Sequence, residues 1–371
     1  MTTRILFVPE SPLDFGAALQ LQVLVNHLDR EQFELELAIP HPADSGESSF
    51  DFGSIETHHC DRRKNSAQRI AWLRNLAVER KPNLVHAWGN GARSLVATAT
   101  KMLPQTRRLF TLHSQLGQTG PFDYWSSKVL NRRADSYAAP HRIILDQVAE
   151  AGVRDGLHVI PNSVPGENPN QKSPSSRKQL LELIGQQDKP VWLAGTVSSF
   201  QPKCRLKDLV WAIDLLCCVR DDIHLLIFGT GDDARLRQFT AKTVAGNNVH
   251  IVPPELFSDQ QLTGLDIYWN AQLETPNPTG MLQAMAQGIP VVSVLGEETE
   301  EVVLPLQTAL ATNFGSRDEF ARWTKFLIEQ SDSSQQIALQ ARQFIEKKFP
   351  ISTTVSAYQD LYSRLALVGT A

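Results

Sequence analysis

The segment covering residues 275–293 combines a polar turn, a short apolar helix and a β-branched strand. It reads Thr-Pro-Asn-Pro-Thr-Gly-Met-Leu-Gln-Ala-Met-Ala-Gln-Gly-Ile-Pro-Val-Val-Ser. In an open α/β sheet this order places the turn and the helix N-terminus at the carboxyl edge of the strands, where ligands bind. The free N–H groups of a helix start favour anions, so Thr279 and Gly280 predict a phosphate-binding turn. The alternative is that Gly280 only allows the helix to pack closely.

Three more side chains could act at such an edge. His113 directly follows the strand-like run 109–112, where an imidazole could contact a reacting group. The alternative is an ordinary loop histidine. Lys203 and Arg205 flank Cys204 as two cations in a loop. Such a pair of loop charges is usually solvated.

Motifs for other chemistry are absent from the sequence. There is no Asp-x-Asp triplet, G-x-S-x-G, H-E-x-x-H or Walker loop, which disfavours metal-bridged diphosphate binding, serine hydrolysis, zinc proteolysis and P-loop ATP hydrolysis. The turn at residues 229–231 lacks the third glycine of a dinucleotide fingerprint. The four cysteines show no metal-ligand spacing. No metal site is therefore predicted.

Composition limits the class of protein. The chain has 371 residues, of which 42% are hydrophobic and 20% charged, so two globular α/β domains are expected rather than disorder. The formal net charge of -4 gives no overall attraction to nucleic acid. Reduced cysteines, and no apolar run of about 20 residues, predict a cytoplasmic protein. The cluster Lys128, Arg132 and Arg133 could give peripheral membrane contact, or could be a solvated helix face.

Strand-like and helix-like runs alternate in both halves of the chain, which predicts parallel, doubly wound sheets. The predicted strands are 4–8, 33–39, 84–87, 109–112, 157–160, 191–195, 223–228, 249–252, 267–269 and 291–294. We predict an N-terminal Rossmann-like domain over 1–165, a linker region over 166–188 and a C-terminal Rossmann-like domain over 189–347. A final helix over 348–371 follows, since the helical pattern of 318–367 breaks at Phe349-Pro350-Ile351.

An ordered set of motifs resembles the retaining family-4 (group 1) glycosyltransferases, which have the GT-B fold. The motifs are Leu226-Ile227-Phe228-Gly229-Thr230-Gly231, Asp266, Ala284-Met285-Ala286-Gln287-Gly288-Ile289-Pro290-Val291-Val292, Gly296 with Glu300, Tyr358 with Tyr362, and, in the first half, 26–29, 84–87, 111–114 and 159–162. The resemblance implies two Rossmann-like domains that face a cleft, with C-terminal helices crossing back to the first domain. It also implies an acceptor site in the first domain and a donor site in the second.

The resemblance assigns roles residue by residue. His113 matches the histidine at the transferring sugar, and Gly16 matches a glycine turn where backbone approaches phosphate. Ser199 and Cys204 stand where the family has an Arg and a Lys for the diphosphate, so Lys203 or Arg205 is a candidate replacement. Thr275 and Gln283 stand where the family has two Glu. Glu274 could replace the first of these, and the Gln283 amide could bond a ribose.

The implied function is metal-independent, retaining transfer from a nucleotide sugar, a co-substrate rather than a bound cofactor, to a saccharide, lipid-linked or small-molecule acceptor. The substituted positions leave a second reading open, a non-catalytic GT-B scaffold or regulatory partner of an active transferase. A nucleotide-sugar epimerase ranks third, because no acid/base set is visible. Donor-binding candidates are Gly16, Ser199, Lys203, Arg205, Gly229, Glu274, Thr275, Thr279, Gly280 and Gln283; the catalytic candidate is His113.

Aromatic and histidine positions give weaker expectations. Trp88, beside Gly89 and Gly91, is the better candidate to stack on an acceptor, whereas Trp269 lies in a strand and is expected in the core. His86 ends a strand and could be structural or functional. His141 is expected to be structural or an altered phosphate contact.

Overall fold

The computed structural model describes residues 2–10, 15–40, 52–114, 133–165, 174–187, 189–252, 259–273, 278–297 and 299–368. The chain divides into two compact units. One contains Met1–Leu13, Ala17–Ser163 and Ile351–Ala371, and the other contains Asp14–Gly16 and Val164–Pro350. Among the described helices none is long and apolar enough to span a bilayer.

The first unit is built on a parallel sheet with the strand order β3-β2-β1-β4-β5-β6-β7. The strands are β1 (Thr3–Pro9), β2 (Phe33–Ile39), β3 (Glu56–His59), β4 (Leu84–Trp88), β5 (Arg107–Thr111), β6 (Ser136–Ala139) and β7 (Leu157–Val159). The helices described in this unit are α1 (Phe15–His27), α2 (Ser66–Arg80), α3 (Ala92–Ala99), α4 (Arg142–Glu150) and, from the end of the chain, α12 (Ile351–Val368).

Helix α12 completes the core of the first unit. Its residues Val355, Tyr358, Leu361 and Tyr362 are buried at i, i+3, i+6 and i+7, one face of a helix, and pack in the cluster that contains Phe7 of β1. A helix that follows the second sheet in sequence is therefore a structural part of the first unit, as the predicted fold requires.

The second unit has a parallel sheet with the strand order β10-β9-β8-β11-β12-β13. The strands are β8 (Trp192–Ser199), β9 (Ile223–Thr230), β10 (Val249–Val252), β11 (Ile267–Asn270), β12 (Val291–Val294) and β13 (Leu310–Thr312). The described helices are α5 (Pro174–Leu183), α6 (Leu206–Cys217), α7 (Ala234–Thr240), α8 (Asp259–Leu262), α9 (Thr279–Ala286), α10 (Arg317–Glu329) and α11 (Ser331–Lys348).

Apolar layers cover both faces of this sheet. Neighbouring residues of β11 point to opposite sides, so Tyr268 enters one hydrophobic cluster and Trp269 the other. The expectation that Trp269 lies in the core is confirmed: its ring is completely buried, and Nε1 donates to the Thr324 hydroxyl at 2.9 Å. Two doubly wound parallel sheets confirm the predicted fold class.

A buried histidine and a half-buried histidine on adjacent strands predict acid sensitivity. His224 of β9 and His250 of β10 place Nδ1 and Nε2 3.1 Å apart, a bond that needs at least one neutral ring. Burial, and then the neighbouring His224, lower the pKa of His250 to about 4. The pKa of a histidine in the unfolded protein is about 6.5. The contribution of neutral His250 to the stability of the folded protein is therefore complete above that pH and is lost as the pH falls toward the folded pKa.

We expect the free energy of unfolding to fall by about 2 kcal/mol between about pH 7.5 and pH 5 through His250 alone. Urea titrations at both pH values would measure this as the difference between wild type and His250→Phe. His59→Gln, on the exposed end of β3, is the control. Its free energy of unfolding should change between the two pH values as much as that of wild type. Equal pH dependence in wild type and His250→Phe would contradict the assignment.

Candidate functional site

His113 lies just beyond the carboxyl end of β5 and lines a small cavity inside the first unit. The cavity offers about 10 Å³ to the centre of a water-sized sphere, room for about one water molecule. Polar groups around it come from four elements of the unit, including Gln20 of α1 and Tyr358 of α12. His113 is 8% exposed, so its imidazole is surrounded mainly by protein atoms rather than by solvent.

Trp88 packs directly behind His113. Their ring centroids are 4.8 Å apart, and the indole Nε1 donates to the carbonyl oxygen of Ala17 at 2.8 Å. Only 1% of Trp88 is exposed. The expectation that Trp88 stacks on an acceptor is therefore wrong for this structure, because almost none of the residue is exposed. The glycines that follow it suggested a loop, whereas Trp88 is the last residue of β4 and points into the core.

His86 is a buried structural histidine. It is completely buried, with Nδ1 2.9 Å from the Tyr362 hydroxyl and Nε2 2.7 Å from the Thr111 hydroxyl. Burial, reinforced by His113 nearby, holds the pKa of His86 well below its usual value. The ring is therefore neutral at physiological pH. His141 also has a structural contact, since its Nδ1 accepts from the Ile143 N–H at 3.3 Å as the N-cap of α4.

In the second unit, the positions where the resemblance places two cations carry small neutral side chains. Ser199 is the last residue of β8, and its hydroxyl lies 3.2 Å from the Cys204 thiol. Cys204 is 5% exposed and belongs to the hydrophobic core. Lys203 lies between them in a 3-10 turn, and its side chain falls outside what the structure describes. Ser199 and Cys204 therefore contact each other as neutral side chains at this corner of the sheet edge.

Arg205 has a strained backbone, and its side chain is paired with neighbouring groups. Its φ of 56° lies in the left-handed region that few non-glycine residues adopt. Its Nε donates to the Asp208 carboxylate at 2.5 Å, and its guanidinium lies 4.6 Å from the Phe314 ring centroid. Arg317 donates to the same, largely buried carboxylate at 2.9 Å. Two guanidiniums thus share one carboxylate at the start of α6, and backbone strain of this kind is often kept at functional positions.

Two candidate glycines occur where neighbouring groups approach closely. A Cβ on Gly229, near the end of β9, would lie 2.7 Å from both the Phe200 ring and the Ser198 carbonyl oxygen. A Cβ on Gly280, in the first turn of α9, would lie 2.6 Å from the Tyr268 hydroxyl. Both glycines thus have a packing role. For Gly280 that role also brings the N-terminus of α9 against the sheet.

Gln283 is a buried polar residue of the second unit. It lies on α9 and is completely buried. Neither Oε1 nor Nε2 finds a hydrogen-bond partner among the described residues. Most buried amides are paired, and each that is not needs an explanation. Thr279, the first residue of α9, is also buried, whereas Glu274 and Thr275 lie outside the described residues.

Gly16 is the second residue of α1, which follows β1. Its N–H belongs to the first turn of a helix, where backbone donors have no partner within the helix. This position suits backbone contact with an anion, the role that the resemblance implies. The structure thus places His113 just beyond a strand end of the first unit, whereas Gly16, in the first turn of α1, and six further donor candidates are assigned to the second unit. The six are Ser199, Arg205, Gly229, Thr279, Gly280 and Gln283.

One cluster in the described part of the chain has ligand atoms close enough for a metal ion, formed by Glu36, Glu56 and His58. Arg80 already occupies this cluster. Its guanidinium is in an ion pair with Glu56, and its Nε lies 3.5 Å from Glu36. A second cation there would be repelled, so the cluster fits a salt-bridge network between β2, β3 and α2 better than a metal site.

Two protein-family models match the chain. The model described as Glycosyltransferase Family 4 matches residues 16–167, and the model described as Glycosyl transferases group 1 matches residues 184–344. Together they span most of the chain. No curated protein sequence matches it significantly.

Solved structures match nearly the whole chain. HepE from Anabaena, in complex with UDP-glucose, gives a TM-score of 0.78 at 20% identity over 97% of this chain and 99% of HepE. A glycosyltransferase from Rickettsia africae gives 0.73 at 16% over 98% of both chains. Sucrose-phosphate synthase from Thermosynechococcus elongatus gives 0.72 at 13% over 99% of this chain and all of that one. The similarity establishes the fold.

Proposed function

Because the chain belongs to the group 1 glycosyltransferases of the GT-B fold, we propose that it transfers a sugar from a nucleotide-sugar donor to an acceptor. The reaction is a retaining, metal-independent hexosyl transfer in the cytoplasm, and the donor is a co-substrate rather than a bound cofactor. The acceptor is a saccharide, a lipid-linked molecule or a small molecule. We assign His113 to the transferring sugar and the start of α9 to the diphosphate.

The unpaired amide of Gln283 carries the donor-site proposal. Leaving a buried donor and acceptor unpaired costs about 1–3 kcal/mol, which a core selected only for stability would avoid. An amide offers one acceptor and two donor positions, which match the hydroxyl groups of a nucleotide ribose. A ligand that supplies those partners recovers the cost on binding. The observation supports a role for Gln283 in holding the ribose.

The diphosphate needs positive potential, because negative charge grows on it as the glycosyl bond breaks. In our proposal the N–H groups of Thr279 and Gly280 supply part of it as the start of α9. Lys203 or Arg205 supplies a cation in place of the neutral pair at Ser199. Gly16 and Gly229 allow backbone to come close to the phosphates. We assign Glu274 or Thr275 to the donor sugar.

Calorimetric titration of the purified chain with UDP, GDP and ADP tests the donor site. We expect one of the three to bind with a dissociation constant below about 1 mM, which corresponds to about 4 kcal/mol of binding free energy. UDP is the first choice, since the structurally similar HepE was crystallised with UDP-glucose. AMP serves as the control, because it lacks the second phosphate. If none of the diphosphates binds at millimolar concentration, the donor-site proposal fails.

A specific observation favours a second candidate, a non-catalytic partner of an active transferase. The Ser199 hydroxyl contacts the Cys204 thiol, and Arg205 is held by Asp208, so the described cations of this corner are neutralised or absent. Losing one preorganised donor to the leaving group typically costs about 2.7–4 kcal/mol of barrier. Incubation with UDP-glucose, followed by measurement of released UDP, separates the two candidates. Turnover by the unmodified chain removes the partner hypothesis.

A further inference from the structure

Four buried side chains form a hydrogen-bond chain beneath the His113 cavity. The Tyr362 hydroxyl lies 2.9 Å from His86 Nδ1, His86 Nε2 lies 2.7 Å from the Thr111 hydroxyl, and that hydroxyl lies 3.3 Å from the Tyr358 hydroxyl. All four residues are at most 3% exposed. Tyr358 and Tyr362 lie on α12, whereas His86 lies in the middle of β4 and Thr111 ends the neighbouring strand β5.

Only one order of donors and acceptors in this hydrogen-bond chain gives the buried Tyr362 O–H an acceptor. Within the described residues the Tyr362 hydroxyl has His86 Nδ1 as its single hydrogen-bond partner. If His86 Nδ1 carried the proton, the Tyr362 O–H would be buried without an acceptor, at the cost of an unsatisfied donor. Tyr362 therefore donates to Nδ1, and the proton of the neutral ring resides on Nε2.

The remaining bonds follow from that tautomer. Nε2–H donates to the Thr111 oxygen, and the Thr111 hydroxyl proton is free to reach the Tyr358 oxygen. The Tyr358 proton then has no acceptor within the chain. Tyr358 lines the same cavity as His113, so its O–H is directed to whatever occupies that cavity. Bonds in such a chain polarise one another, which strengthens the fixed direction.

The hydrogen-bond chain also supports His113 through packing. Thr111 lies two residues before His113 on the same segment of chain, so fixing the Thr111 side chain fixes the end of β5. The Trp88 ring, 4.8 Å from His113, is itself flanked by His86 at 5.1 Å and by Tyr358 at 5.9 Å. Displacing either tyrosine would therefore loosen the layer on which the His113 ring rests.

We propose that Tyr358 and Tyr362 are positioning residues for His113, acting through the one-way chain Tyr362→His86→Thr111→Tyr358. Helix α12 thereby becomes part of the machinery of the first unit, with Tyr358 presenting a hydrogen-bond donor beside the imidazole. The role in sugar transfer rests on the proposed function, whereas the chain and its direction do not.

Histidine-selective ¹⁵N and ¹³C labelling of the full chain tests the direction. In wild type we expect the His86 signals to show a neutral ring protonated on Nε2 at about pH 7. Tyr362→Phe removes the donor to Nδ1, so we expect the His86 signals to move toward the other tautomer and the His113 signals to shift. Tyr358→Phe should shift His113 and leave the His86 tautomer unchanged. A wild-type ring protonated on Nδ1 would overturn the assigned direction.

Tyr137→Phe is the matched control. Tyr137 is a buried tyrosine of the same sheet, but it packs against Phe110 in the cluster on the other face. It loses a buried hydroxyl without touching the chain. His113 signals that respond to Tyr358→Phe no more than to Tyr137→Phe would overturn the positioning role. These spectra need no ligand, so their outcome is independent of whether a nucleotide binds.

Kinetics with UDP-glucose give the functional readout. We expect Tyr358→Phe to lower kcat about five- to tenfold, the equivalent of one hydrogen bond, with KM unchanged. Shifted His113 signals with an unchanged kcat would overturn the role in transfer. Failure of the unmodified protein to bind UDP would instead count against the proposed function. The hydrogen-bond chain is tested separately, because the spectra are recorded without a nucleotide.

Discussion

Replacing Gln283 by leucine should make the protein more stable and weaken its binding of UDP. The amide is completely buried, and neither of its polar atoms has a partner among the described residues. Leucine has similar volume and no polar atoms, so the substitution removes a desolvation cost of about 1–3 kcal/mol from the folded state. Urea titration would measure the gain in the free energy of unfolding.

The same substitution removes the partners that we assign to the ribose. We expect the dissociation constant for UDP to rise about 5- to 150-fold, the equivalent of about 1–3 kcal/mol. Calorimetry measures it directly. A variant that is more stable and binds UDP less well would identify Gln283 as a functional polar group. Removing a polar group with a structural role would instead make the protein less stable. Lower stability together with unchanged affinity would contradict the role of Gln283.

Thr324→Val provides the contrast for Gln283→Leu. Thr324 is also completely buried in the second unit, but its hydroxyl accepts a bond from the Trp269 indole N–H. Valine leaves that N–H unpaired, which should destabilise the protein by about 1–3 kcal/mol. UDP affinity should not change, since Thr324 lies in α10 against the hydrophobic core. The two variants therefore move stability in opposite directions.

The predictability of each strand followed the chemistry of its side chains. The strands β1 and β12 are mostly apolar, and β2 alternates, so their sequences indicate them directly. In contrast, β3 reads Glu-Thr-His-His and is missing from the predicted strands. It is an edge strand whose polar side chains pair with β2 and α2 through ions such as Glu36 and Arg80. No apolar periodicity marks such a strand.

β6 is missing from the predicted strands for a different reason. Its residues, Ser136 to Ala139, are all buried and mostly small. Small residues have weak β propensity, and what makes this segment a strand is hydrogen bonding to β5 and β7 on either side. That information lies in the neighbours, which are remote in sequence. β13, from Leu310 to Thr312, is similarly short and was also missed.

The candidate site shows the same division. Motif order made His113 and the start of α9 candidates, because the family resemblance carries position along the chain. Side-chain partners were not predictable in this way. His86 and Tyr362 are 276 residues apart, and Asp208 and Arg317 are 109 residues apart. Trp88 was misjudged because its flanking glycines are local signals, whereas its burial depends on α12 and α1.

Replacing Ser199 by arginine should produce the largest gain in activity. Ser199 is only partly buried at the carboxyl end of β8, and its one described side-chain contact is the weak bond to Cys204. An arginine can therefore enter at little cost in stability. Lysine at Cys204 is less favourable, because that position is 5% exposed in an apolar core where a charge is expensive.

The expected result follows from the charge on the leaving group. A guanidinium at Ser199 would bond the diphosphate with about 1.5–3 kcal/mol, so UDP affinity should rise about 10- to 150-fold. Because negative charge grows on the diphosphate in the transition state, turnover of UDP-glucose should rise by about 10²–10³. Ser199→Gln supplies length and hydrogen bonding without charge and should gain little. Equal values for Ser199→Arg and Ser199→Gln would mean that no diphosphate binds at this corner, and the non-catalytic partner would become the better account of the chain.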